Sequence, residues 1–201
     1  MSVSRSLVRD LIHGALGFAL VSIAAFSVWA FAAPLFRHAG GELGMYAAIA
    51  AVFLGLSGIA LGPVAGGAGR FYRAFLPAFF AYALIWCVAW FGLKGRAGEW
   101  IGAAAGCLVF TIISMRMLGC MRGWLVAALA LFVLHTAGYF AGDWAMYDFW
   151  LADRNAKIPR PEAAMLAKLS WGLCYGLGFG AGIGWVFHHA CAGMSSFKNE
   201  R

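Results

Sequence analysis

Residues 11–33 read LIHGALGFALVSIAAFSVWAFAA, 23 residues without a single Asp, Glu, Lys or Arg. A membrane-spanning helix needs about 20 mostly apolar residues, so this run is long enough to cross a bilayer. Arg5 and Arg9 precede it, and Ala30-Phe31-Ala32 has the small-x-small form of a cleavage site. The apolar core of a signal peptide, however, is only about 7–15 residues long. The uninterrupted stretch from Leu11 to Ala33 therefore reads as a retained helix.

Five further stretches repeat the pattern, at 43–63, 71–93, 99–118, 123–142 and 165–188. Composition agrees with them. Of the 201 residues, 63% are hydrophobic and 11% charged, against about 25% charged in soluble globular domains. Mean hydropathy is +0.81. A soluble domain of this size still exposes much of its surface and cannot hide so many apolar side chains. The expected fold is an all-α, polytopic membrane bundle of six helices with short loops, forming a single domain over residues 1–201.

Charge excludes other classes. The net charge of +7 comes from 15 basic residues against 8 acidic ones. They stand singly or in pairs between apolar runs, without the basic stripe that nucleic-acid binding requires. Cys87, Cys107, Cys120, Cys174 and Cys191 form no CxxC pair and read as small packing residues. Neither a metal nor a cofactor is expected from them.

Arg5 and Arg9 before the first span, against Arg37 after it, favour both termini in the cytoplasm of a bacterial inner membrane. Under that topology seven of nine Trp (29, 86, 90, 100, 144, 150 and 171) gather near the outer interface, where an indole keeps its ring apolar and its N–H wet. Asp143 to Ala152 then reads as a short segment lying on the outer leaflet.

The last span has the most distinctive pattern. Six of the fifteen residues from Trp171 to Trp185 are glycine. Gly172, Gly176, Gly180 and Gly184 recur every four residues, and Gly178 with Gly182 forms a second row. Missing side chains let helix backbones approach where lipid supplies no hydrophobic drive, so these six are expected at helix-packing interfaces. A second copy of the chain, or a partner subunit, is the expected protein partner beside the lipid bilayer.

Histidines supply the alternatives. His13 and His188 fall at one depth, as the two axial ligands of a b-type haem would. His135 lies inside the fifth span, where an ionisable group is a functional candidate.

Gly55-Leu56-Ser57-Gly58 is similar to the GxSG nucleophile motif of rhomboid intramembrane proteases. His135 with Gly138 and Gly142 is similar to their HxxGxxxG helix. The resemblance implies Ser57 as nucleophile and His135 as its base, within hydrogen-bond reach. Two spans separate the motifs here, where rhomboids have one, and the first long loop has no counterpart of the family's Trp-Arg pair. In architecture alone, a six-span chain of this size resembles the substrate-binding subunits of energy-coupling vitamin transporters. The expected function is a non-enzymatic carrier or accessory subunit for an uncharged or apolar solute, or part of a larger membrane complex.

Overall fold

The computed structural model describes residues 6–152 and 158–199, with side chains as far as Cys191 at the C-terminal end. Of the charges weighed for orientation, Arg5, Arg154, Lys157 and Arg201 lie outside these residues, as does the side chain of Lys198. The described residues form helices and no strand: α1 (Leu7–Ser27), α2 (Ala33–Phe36), α3 (Gly41–Ala65), α4 (Ala68–Leu93), α5 (Gly95–Leu118), α6 (Trp124–Trp144) and α7 (Arg160–Asn199). The chain is an all-α bundle, as its composition requires.

Wider π-helical turns prolong two of them, Val28–Ala32 after α1 and Ala145–Trp150 after α6. The second corrects the leaflet-lying segment. Residues 145–150 continue the helical path, packing on α7 and burying Ala145 and Met146. Two breaks are tight. Gly66 and Gly67 turn the chain between α3 and α4 with φ of 84° and 144°, values a side chain would resist. Lys94 alone links α4 to α5, at φ 56°.

Five helical segments are long and apolar enough to cross a membrane: Leu7–Phe36, Gly41–Ala65, Ala68–Leu93, Gly95–Leu118 and Trp124–Trp150. The sixth expected span differs in kind. α7 is 40 residues long, but its six glycines from Gly172 to Gly184 face other helices. A helix flanked on both sides by backbone needs small residues more than apolar bulk.

The long helices close a ring in chain order, each packing on the next and α7 returning to α1. The three most intimate neighbours, α1 with α7, α4 with α5 and α6 with α7, are the three joined by glycine rows. On α5 the row is Gly98, Gly102 and Gly106. A Cβ on Gly98 would stand 2.8 Å from the Ala89 carbonyl oxygen, and one on Gly106 would stand 2.8 Å from the Tyr82 ring.

Aromatic rings fill the middle. Phe179 of α7 is fully buried and meets Phe18 of α1, Phe79 and Tyr82 of α4, Phe110 of α5 and His135 of α6, with centroids 4.9 to 6.2 Å apart. These are the separations of favourable edge and offset contacts. Outward, the bundle presents side chains such as Leu43, Ile59 and Phe80, each over 70% exposed. Exposed apolar surface on this scale marks contact with lipid or protein.

Candidate functional site

The polar centre of the bundle is built on His135. α6 buries Ala127, Ala128, Leu131, His135, Gly138 and Gly142, a three-to-four-residue rhythm that keeps one face toward the ring interior. His135 Nε2 lies 2.6 Å from the Tyr82 hydroxyl of α4, and that hydroxyl lies 3.4 Å from the Tyr175 hydroxyl of α7. The imidazole is walled by the rings of Tyr82, Tyr139, Tyr175 and Phe179.

His135 Nδ1 is buried without a hydrogen-bond partner among the described residues. A bare lone pair is easier to leave unmet than a buried N–H. The network therefore favours the proton on Nε2, donated to Tyr82, whose own hydroxyl hydrogen then points to Tyr175. Three helices are tied by this short relay. It can hold a neutral hydrogen-bonding group.

The structure does not bring Ser57 and His135 together. Ser57 Oγ donates to the Phe53 carbonyl of its own helix at 2.5 Å. α3 packs on α1 and α4, while α6 packs on α5 and α7. Gly58, Gly138 and Gly142 of these motifs sit in close contacts. Gly58 lies under the Tyr72 ring, and the Tyr72 hydroxyl donates to the Gly55 carbonyl. Beside His135, a Cβ on Gly138 would stand 2.5 Å from the Cys174 carbonyl oxygen, and one on Gly142 3.1 Å from Trp171.

His13 and His188 also face apart. His13 Nε2 donates to the Ala60 carbonyl of α3 at 2.9 Å. His188 Nδ1 lies 2.8 Å from Asp10 Oδ2, a hydrogen bond that becomes an ion pair when the imidazole is protonated. Two imidazoles so committed do not flank one plane. His189 stacks on Trp185. Among the described residues no three His, Cys, Asp or Glu side chains gather as a metal site would require.

Asp10 escapes a sequence reading that starts the first span at Leu11. It sits in the first turn of α1, where the helix dipole favours a carboxylate, and it is 6% exposed. The available signal is its spacing from Gly14, four residues on, which puts both on the face that meets α7. Tyr82 and Tyr175 were missed because a Tyr in an apolar run carries no sign of its partner.

The glycines of α7 divide between two neighbours. Gly172, Gly176, Gly180 and Gly184 face α1: a Cβ on Gly176 would stand 2.6 Å from the Ala19 Cα, and one on Gly172 2.9 Å from Phe26. Gly178 and Gly182 face α6, against Gly138 and Leu131. Phe179 and Ile183, between them, point into the core.

At one end of the ring, aromatic and charged groups interlock. Lys168 Nζ lies 4.8 Å over the Trp29 ring and donates to its carbonyl. Trp150 Nε1 donates to Ser170 at 2.8 Å. Arg96 pairs with Glu99 and Asp143 and covers Phe140. No family model, no curated protein and no solved structure matches the chain.

Proposed function

We propose that this chain is a non-enzymatic accessory subunit of a larger membrane complex, held in a bacterial inner membrane with both termini cytoplasmic. One observation carries the reading: the interior is filled by packed aromatic side chains, with Phe179 touching α1, α4, α5 and α6 at once. A bundle filled in this way acts through its outer surface. In this reading the six α7 glycines form a glycine zipper that fixes the ring, leaving the lipid-facing helices to meet a partner or a second copy. The excess of Arg before the first span supports the orientation.

The carrier reading rests on a different observation, the unpartnered Nδ1 of His135 beside Tyr175. An uncharged solute with one donor would suit that nitrogen once the rings part. Gentle extraction of the tagged chain, followed by native mass measurement, separates the two. A second polypeptide or a second copy in fixed ratio supports the subunit. A lone chain carrying a small molecule that is lost in His135→Leu supports the carrier instead. A reporter fused after Arg201 should be active in the cytoplasm, and one inserted at 153–157 outside; the reverse pattern refutes the orientation.

A further inference from the structure

A groove of 680 Å3 opens between α1 and α3 on the outer surface of the ring. Its floor exists because the crossing uses small residues: a Cβ on Gly17 would stand only 3.2 Å from the Ala60 carbonyl oxygen. Its wall is the ridge Ile12, Leu16 and Leu20 of α1, each more than half exposed. Ser6 and Arg9 line the mouth. Arg9 is exposed and has no ion-pair partner among the described residues, and the Ser6 hydroxyl makes no capping bond. The nearest carboxylate in sequence, Asp10, faces α7 and is engaged by His188.

We infer that this groove is a binding site for one anionic phospholipid, with the phosphate at Arg9 and Ser6 and an acyl chain laid along Leu16 to Leu20. Charge and length both point to that occupant. A basic pocket between spanning helices recognises acidic headgroups. From Arg9 to Leu20 is eleven helical steps, about 16 Å at 1.5 Å per residue. Half of a hydrocarbon core about 30 Å thick is about 15 Å, so a headgroup at Arg9 brings its chain end to the midplane at Leu20. His13, which also lines the groove, donates to the Ala60 carbonyl and ties α1 to α3 there.

The inference goes beyond the subunit reading and does not depend on it. The test uses the full chain, exchanged into mild detergent and stripped of lipid. Dioleoyl phosphatidylglycerol and dioleoyl phosphatidylcholine, identical in their chains, are titrated separately and retention is read by native mass spectrometry. One phosphatidylglycerol should be retained about fivefold more strongly than phosphatidylcholine, the effect of one basic residue at an acidic headgroup. Arg9→Gln should abolish the preference while leaving the lipid-free melting temperature unchanged. Leu16→Trp, which narrows the groove, should weaken retention of both lipids. Equal retention of the two lipids by the unaltered chain, or an undiminished preference in Arg9→Gln, overturns the site. So does full retention in Leu16→Trp, because the acyl chain then lies elsewhere. Inorganic phosphate should not stabilise the chain; stabilisation equal to the lipid's would reduce the site to a simple anion contact and overturn it as well.

Discussion

The His135 imidazole and the Tyr82 hydroxyl meet at 2.6 Å in the centre of the helical ring, joining α6 to α4 across the bundle. Tyr175 extends the contact to α7, so one polar relay ties together helices that are not all neighbours in the ring. The rings around this relay are packed on one another.

Tyr82→Phe should therefore destabilise the bundle by about 1–2 kcal/mol, by losing one interhelical bond and leaving the His135 N–H unmet. Combining it with His135→Leu should cost clearly less than the sum of the two single changes, because the unmet group is removed with its partner. Unfolding in mixed detergent micelles measures the cycle. Strict additivity would mean that the two side chains do not interact.

Glycine substitutions should divide by what their Cβ meets. Gly176→Leu and Gly178→Leu drive side chains into the α1 and α6 backbones respectively and should cost about 1–3 kcal/mol or more, as overpacked cores do. Gly92, also helical, has nothing within 4 Å of the same position. Gly92→Ala should be neutral or stabilising by about 0.4–1 kcal/mol, because it restricts the unfolded chain. Melting temperatures in one detergent check all three, and equal tolerance at Gly176 and Gly92 would remove the packing account.

How far the fold could be read follows from where its information lies. The spans were legible because a bilayer imposes a length and a composition on each helix, and 43–63 and 71–93 fall within α3 and α4. The α7 glycine rows were legible as a pattern, but not their division between α1 and α6, which depends on where the helix sits. The row at Gly98, Gly102 and Gly106 has the same four-residue spacing, but it stands out less in a chain with 27 glycines. Glycine beside Ser57 or His135 serves close packing as readily as catalysis, so the rhomboid-like signature by itself does not place the two side chains together. Tyr82 and Tyr175 lie 93 residues apart, and only the ring closure brings them together.

Asp10 and His188 clamp the first turn of α1 to the C-terminal half of α7 across 178 residues of chain. Asp10→Ala removes the acceptor while His188 stays largely buried, and should cost about 1–3 kcal/mol. Asp10→Asn keeps a side-chain oxygen facing Nδ1 and should recover most of that loss. Thermal unfolding of the two variants side by side is the measurement, and an equal loss in both would show that charge, rather than the hydrogen bond, holds the helices there.

Ser57 gives the sharpest test of whether the chain performs chemistry. Its hydroxyl is spent on Phe53 one turn back, within the same helix, a bond that competes weakly with the helix's own ladder. Ser57→Ala should accordingly change stability by about 1 kcal/mol or less, and the unaltered chain should resist labelling by a serine-directed fluorophosphonate. A working nucleophile and base act as one unit, so labelling would have to vanish in both Ser57→Ala and His135→Ala. For that to happen α3 and α6 would have to approach across the aromatic centre, displacing Phe179 and Tyr82 from rings they now touch at 4.9 Å. Labelling at Ser57 that depends on His135 would establish that such a second arrangement exists and restore the enzymatic reading.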